Sequence, residues 1–292
     1  MPSGNQKIAF VINPNAGVKK KIDIIEFVKS YFPEGIPYDL IVWKNPYDFE
    51  SVKQQILSGN YRVVVACGGD GTVNMVSSVV MNTPMAVGIL PLGSGNGLAR
   101  SNGIPLDLED ALAVIARAET KIIDGALING IPFFCTAGVG FDALIAEKFA
   151  ASTTRGFLTY IKTSISEFFS YKPNDYKITV DGEVLQSKAF LITVANAGQW
   201  GNDVYISPEA SLNDGILHVS ILKPFALSAI GGIGLKLFRK KIHTSVHLLS
   251  LNGKIIEIEF EGQLPVHYDG EPLKADGKIR IEVQPNALKV VC

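Results

Sequence analysis

Two glycine-rich loops constrain this 292-residue chain more than any other feature. The first is Gly68-Gly69-Asp70-Gly71-Thr72, behind the apolar run Arg62 to Ala66. The second is Pro91-Leu92-Gly93-Ser94-Gly95-Asn96-Gly97, behind Met85 to Leu90. Apolar runs this short read as buried strands, and helical periodicity follows each loop. Two such loops at the ends of successive strands predict a phosphate-binding crevice. Glycine lets a ligand approach the backbone without a Cβ in the way, and successive N–H groups beside a helix amino terminus converge on phosphate oxygens. Ser94 and Asn96 can reach a phosphate or ribose, and Thr72 either donates to phosphate or caps the helix. Asp70 has two readings: it caps a tight strand-to-helix turn, or it binds a metal or positions a hydroxyl. Arg100 either lends positive charge or faces solvent. Neither loop follows the Walker or the GxGxxG pattern, which excludes those two phosphate loops.

The first 120 residues alternate in the same way throughout. Lys7 to Ile12 and Tyr38 to Trp43 read as strands. Ile22 to Phe32 reads as a helix with Ile22, Ile25, Val28 and Phe32 on one face, and Glu50 to Leu57 as another. Val73, Val76 and Val80 face inward on the helix after the first loop. Asp107 is placed to cap a helix whose inward face is Leu108, Ala111, Leu112 and Ile115. Such alternation predicts a parallel sheet covered by helices.

After Asp124 the pattern changes. Two-residue hairpin signals separate apolar runs at Asn129-Gly130, Asp181-Gly182, Asn252-Gly253, Asp269-Gly270 and Asp276-Gly277. They predict a mainly antiparallel second domain. It is interrupted by a helical stretch, Ala143 to Ser170, whose middle (Ser152-Thr153-Thr154-Arg155-Gly156) reads as mobile. The expected domains are 1–124 and 125–283.

Composition narrows the function classes. A net charge of −1 gives no sign of a nucleic-acid partner. The three cysteines, Cys67, Cys135 and Cys292, have no zinc or disulfide spacing, so a reducing cytoplasm is expected. No signal peptide is evident, and the longest membrane-like stretch, Phe225 to Phe238, contains Lys236 and is too short to span. Phe225 to His243 has an apolar front and a basic end. It reads either as a core-packing helix with a solvated tip, the preferred reading, or as a contact with an anionic membrane surface. His218, His243, His247 and His267 show no metal-ligand spacing, and His267 reads as a strand residue.

GGDGT-Val-Asn followed by a P-x-G-S-G-N loop resembles the diacylglycerol kinase catalytic-domain family, which includes bacterial soluble lipid kinases, sphingosine kinases and ceramide kinases. Other segments agree in order: Asn13-Pro14-Asn15-Ala16-Gly17; Asp124 with Ala137-Gly138-Val139-Gly140-Phe141-Asp142; Leu212-Asn213-Asp214-Gly215-Ile216-Leu217; and Asp269-Gly270-Glu271. The resemblance covers nearly the full length. It implies a nucleotide-binding α/β domain of the NAD-kinase and diacylglycerol-kinase type, a β-sandwich-like lipid-substrate domain, and a last strand (284–292) that returns to the first domain. It implies ATP between the domains, with phosphates over Gly68, Gly69, Asp70, Gly71 and Thr72 and over Gly93, Ser94, Gly95 and Asn96, and with Asn13 as a further contact. It makes Asp269 the general base for a lipid hydroxyl, with Glu271 assisting or binding metal and Asp70 as its catalytic partner. Without it, Asp269-Gly270 reads as a hairpin turn.

The resemblance also implies a structural Mg²⁺ held by Asp214 with the carbonyls of Ser211 and Ile216; the residues alone read equally well as an Asp-Gly turn. Asp124 and Asp142 bind metal or nucleotide, or close polar contacts. Gly97, Cys135, Trp43 and Ala16 depart from the usual pattern and leave the acceptor lipid unnamed. The expected function is an ATP-dependent lipid kinase of lipid metabolism, acting on a diacylglycerol-like or sphingoid-like lipid at a membrane surface, with a homodimer one option for its oligomeric state. The rivals are an NAD kinase-like GGDGT enzyme and a non-catalytic lipid- or nucleotide-binding relative.

Overall fold

The structure is a computed structural model and describes residues 7–14, 23–43, 48–151, 164 and 166–292. Asn15, Ala16, Gly17, Ile22 and the 152–156 segment lie outside the described residues. The chain divides into two compact units, 1–123 with 286–292, and 124–285.

The first unit is a parallel sheet covered by helices. Its strands are β1 (Ile8–Ile12), β2 (Tyr38–Val42), β3 (Val63–Gly68) and β4 (Ala86–Pro91). They stand in the order β2-β1-β3-β4, every pair parallel. Strands β1, β3 and β4 are buried along their whole length, as their unbroken apolar runs require of strands covered on both faces. Between them run α1 (Ile24–Tyr31), α2 (Phe49–Ser58), α3 (Asp70–Val80), α4 (Gly97–Ser101) and α5 (Leu108–Arg117). Asp23 caps α1 by accepting from the N–H groups of Ile25 and Glu26, so this helix starts later than its apolar pattern suggests. Asp107 caps α5 in the expected way. Phe10, Phe32 and Tyr38 pack edge to face at the centre of the core.

The second unit is antiparallel. Its strands are β5 (Thr120–Ile128), β6 (Ile131–Phe133), β7 (Thr136–Gly140), β8 (Asn174–Val180), β9 (Glu183–Ala189), β10 (Leu191–Ala195), β11 (Leu217–Leu222), β12 (Leu248–Gly253), β13 (Ile255–Tyr268) and β14 (Glu271–Val291), of which the start of β5 and the end of β14 belong to the first unit. The order β12-β11-β10-β7-β13-β14 forms its main path, with β8 and β9 paired off β13. Helix α6 (Phe141–Ala151) follows β7, and α7 (Ile230–Phe238) follows β11.

Three of the five expected two-residue turns form. Asn129, Asp181 and Asp269 take left-handed backbone, as do the glycines after them, which is the geometry of tight hairpins. Two expectations are corrected. Asn252-Gly253 is not a turn: it ends β12, which pairs with β11 and not with β13, and a Cβ at Gly253 would strike Val180. Asp276-Gly277 lies inside β14, opposite a register shift between Glu259 and Gln263, so it belongs to a bulge and not to a hairpin end.

Candidate functional site

The two glycine loops follow β3 and β4, at the carboxyl ends of adjacent parallel strands, where open α/β sheets bind ligands. Asp70 joins them. Its Oδ2 accepts the N–H of Asn96 at 3.0 Å, and its Oδ1 accepts the N–H of Gly97 at 2.7 Å. The glycines are what this closeness requires. A Cβ on Gly93 would stand 2.8 Å from the Gly69 Cα, and one on Gly95 would stand 2.6 Å from the Asp70 Oδ2. Asn96 takes left-handed backbone, and its side chain closes back on Gly93, accepting from its N–H and donating to its carbonyl. Arg100 donates to the Gly95 carbonyl. The polar groups of Asp70, Asn96 and Arg100 thus shape the loops themselves.

The amino terminus of α3 sits in the first loop, with Asp70, Gly71 and Thr72 in its opening turn. The opening turn of an α-helix leaves its N–H groups to be met from outside the helix. Asn13, just past β1, donates its side-chain N–H to the Thr72 hydroxyl at 3.2 Å. A Cβ on Gly68 would collide with the Thr72 side chain, so Gly68 makes room for Thr72. The structure therefore brings together Asn13, Gly68 to Thr72 and Gly93 to Asn96. Cys67, one residue earlier, is buried, and burial pushes its thiol up, away from the reactive thiolate form. Trp43 donates its backbone N–H to Ile12, and its indole N–H is buried without a partner.

In the second unit, Asp269 occupies the β13–β14 turn. Its carboxylate accepts three main-chain N–H bonds, from Phe134 at 2.9 Å, Cys135 at 2.8 Å and Thr136 at 3.1 Å. These donors fix its orientation. They also account for one departure from the family pattern: Cys135 serves Asp269 through its backbone, which any side chain permits. Glu271, exposed, opens β14 opposite Tyr268. Burial first, then the charges of Glu271 and Asp269, push the Tyr268 hydroxyl up. Tyr268 is a site neighbour that the sequence reading missed. The only signal for it was its position just before Asp269-Gly270.

Asp214 and Asp124 organise a second loop. Asp124, buried, accepts the N–H of Gly215 at 2.7 Å and donates its own N–H to the Leu212 carbonyl. Asp214 accepts the N–H of Ile216, two residues on, and its other oxygen lies 3.5 Å from the His218 Nε2. The Ser211 hydroxyl donates to Asn213. One carboxylate with main-chain carbonyls suits a hard cation in kind, but here Asp214 is turned onto an amide and an imidazole, contacts a cation would compete with. Among the described residues, no three His, Cys, Asp or Glu side chains gather as metal ligands. Asn196, buried and also missed, donates to the carbonyls of Asp124 and Phe134, tying this loop to the Asp269 cradle.

Asp142 stands in the first turn of α6, just past β7. It accepts from the Thr193 hydroxyl at 2.8 Å and lies 3.1 Å from the His267 Nε2, all three buried. His267 is a β13 strand residue, as expected.

Residues 7–128 match the diacylglycerol kinase catalytic domain, and residues 135–292 match the YegS C-terminal NAD kinase beta sandwich-like domain. A Klebsiella pneumoniae protein named "Probable lipid kinase YegS-like" is 30% identical over 275 residues, covering 90% of this chain and 89% of that one. A Pseudomonas aeruginosa protein of the same name is 28% identical over 256 residues, covering 86% and 82%. Among solved structures, a diacylglycerol kinase from Bacillus anthracis superposes with a TM-score of 0.75 at 22% identity, over 98% of this chain and 96% of that one. An NAD kinase from Archaeoglobus fulgidus in complex with ATP shares the fold with a TM-score of 0.55 at 14% identity, over 98% and 94%. Matched from end to end by both family domains, the chain belongs to the diacylglycerol kinase catalytic-domain family, among its YegS-like lipid kinases.

Proposed function

We propose that the protein is an ATP-dependent kinase that transfers the γ-phosphate to a hydroxyl of a diacylglycerol-like or sphingoid-like lipid. The observation that carries this reading is the Asp70 clamp, which makes one bare-backbone surface out of two glycine loops. Phosphoryl transfer asks chiefly for positioning and for neutralisation of charge on the phosphates. The amino terminus of α3 supplies converging N–H groups and positive potential for that purpose, and Asn13 and Thr72 supply side-chain donors beside it. Asp70 acts as a positioning residue that holds the second loop against the first.

Asp269 is the proposed general base. A carboxylate serves because the lipid hydroxyl becomes acidic only as it attacks phosphorus. Glu271 assists it or binds metal. Mg²⁺ is expected with ATP, where it neutralises phosphate charge. A second, structural Mg²⁺ would take the Asp214 carboxylate and the carbonyls of Ser211 and Ile216, stiffening that loop. The free state of all three cysteines fits the cytoplasm as the setting, with lipid taken up at a membrane surface. Among the described residues no helix is long and apolar enough to cross a membrane.

The test is a kinase assay with Mg²⁺-ATP against a broad lipid panel and NAD, read by mass spectrometry. Expected are a phosphorylated lipid, no phosphorylated NAD, and loss of turnover by about a hundredfold or more in Asp269→Asn. Phosphate on NAD alone would favour the NAD kinase reading. No product from any lipid, with Asp269→Asn indistinguishable from the parent, would sink catalysis altogether.

A further inference from the structure

We propose that the segment around α7 is the face by which this protein docks on an anionic membrane. This proposal rests on the lipid-kinase reading for its biological sense and on the surface itself for its evidence. The preferred expectation of a core-packing helix with a solvated tip holds for one side only: Phe225, Ile233 and Leu237 turn inward, and Arg239 to Lys241 are exposed. In α7 only Ile233 is buried, with Leu237 half-buried beside it against the aromatic cluster of the second unit. The flank bordering this buried side, and the side turned away from it, carry apolar residues where an ordinary surface helix is polar. Ile230, Gly234 and Phe238 follow one another at i, i+4 and i+8, with Leu235 alongside. Leu235 is 51% exposed, Phe238 53% and Leu227, in the turn before the helix, 58%. Val246, just beyond, is 90% exposed. A Cβ on Gly231, Gly232 or Gly234 would meet nothing, so the backbone between these side chains is open to an approaching surface.

Charge selects the partner. The chain has 28 acidic residues in 292, yet none lies between Asp214 and Glu257, where six Lys and Arg do. Four of the six, Lys236, Arg239, Lys240 and Lys241, end α7. Two are braced: Lys236 donates to the Thr244 carbonyl, and Lys240 lies over the Tyr205 ring at 4.3 Å. Arg239 and Lys241 are exposed beside the apolar stripe. Apolar side chains that enter the acyl boundary, rimmed by cations that meet anionic headgroups, are the two components of interfacial binding. A second copy of the chain would bring the same cations against themselves, so like-charge repulsion disfavours a self-association at this face.

The test is co-sedimentation with vesicles of phosphatidylglycerol and phosphatidylcholine, without ATP. The parent protein should partition about tenfold more strongly onto mixed vesicles than onto phosphatidylcholine alone, and the preference should fade with salt. Leu235→Glu with Phe238→Glu should cut partitioning by about tenfold or more, and Arg239→Glu with Lys241→Glu should erase the preference for anionic lipid. Both pairs are exposed and should melt with the parent. Equal pelleting of parent and variants overturns the proposal. So does a concentration-dependent dimer that Phe238→Glu dissolves, since a second copy would then cover the face. Vesicle binding that depends on α7 without any lipid kinase activity would leave this proposal standing and overturn the kinase reading. Phosphorylation of detergent-dispersed lipid without vesicle binding would do the reverse.

Discussion

Asp70 and Asp269 are both carboxylates in Asp-Gly sequences, and both spend oxygen lone pairs on main-chain N–H groups far away in sequence. Spacing reveals which residues a loop contains but not which donors its acceptors meet. That is why the sequence offered Asp70 and Asn96 as ligand-facing and did not reveal their loop-closing contacts. The contacts yield two expectations. Gly95→Ala puts a methyl group where the Asp70 carboxylate must pass, so it should open the clamp and lower kcat/KM for ATP by about a hundredfold, or ~2.7 kcal/mol, with little loss of melting temperature. The readout is steady-state kinetics with ATP varied. Unchanged ATP kinetics would remove the clamp from the mechanism. Asp269→Asn turns an amide NH₂ toward one of three N–H donors, so it should also cost about 1–3 kcal/mol of stability. Denaturant melts give that cost, and turnover should be compared well below the variant's midpoint.

Among elements, β1, β3 and β4 were legible because full burial leaves unbroken apolar runs, and α5 because its cap, Asp107, stands just before its apolar face, whereas the Asp23 cap of α1 fell inside the stretch read as helix. The hairpins were legible where Asn or Asp with Gly takes left-handed backbone at both positions. They failed at Asn252-Gly253 and Asp276-Gly277 because the same residue pair also suits a close strand crossing and a bulge, which only long-range pairing distinguishes. Tyr61, just before β3, donates to Asp39 of β2 at 2.7 Å, and Lys7 meets the same carboxylate at 2.6 Å. Burial, then the bond and charge of Asp39, push the Tyr61 hydroxyl up to about 12. A group whose folded pKa is raised contributes stability that is complete below its unfolded value, near 10, and that is lost as pH rises through the folded one. The first unit should therefore weaken between about pH 10 and 12. Tyr61→Phe should remove Tyr61's share of that slope and cost about 1 kcal/mol at neutral pH; urea melts at several pH values would check it, and an unaltered alkaline slope would refute it. At the Asp214 loop, added Mg²⁺ should raise the parent's melting temperature in the absence of ATP, and Asp214→Asn should abolish the rise. A rise that persists in the variant would place the cation elsewhere.

At the scale of the whole molecule, the contrast between alternating elements and closely spaced hairpin signals made the two halves legible. Pattern alone could not assign the final strand, because a short stretch such as Leu288-Lys289-Val290-Val291 fits any sheet. In the structure, β14 pairs with β13 through Glu282, and its last residues Lys289 and Val290 pair parallel with Ala86 and Val87 of β4. Leu288, Val290 and Val291 are buried there, Ala287 accepts from the Asn82 N–H, and Cys292 donates to the Glu119 carbonyl. The parallel sheet that carries both glycine loops is thus completed by the last residues of the chain. Removing 286–292 would strip three buried aliphatic side chains, each contributing about 1.5–3 kcal/mol, and leave β4 as an unpaired edge. Set against a total stability of about 5–15 kcal/mol, that loss is enough to unfold the unit 1–123 while 124–285 keeps its own antiparallel core. Hydrogen exchange on the truncated chain should show protection lost across β1, β3 and β4 and retained in β10, β11 and β13. Retained protection in β3 and β4 would show that the sheet closes without its terminal strand.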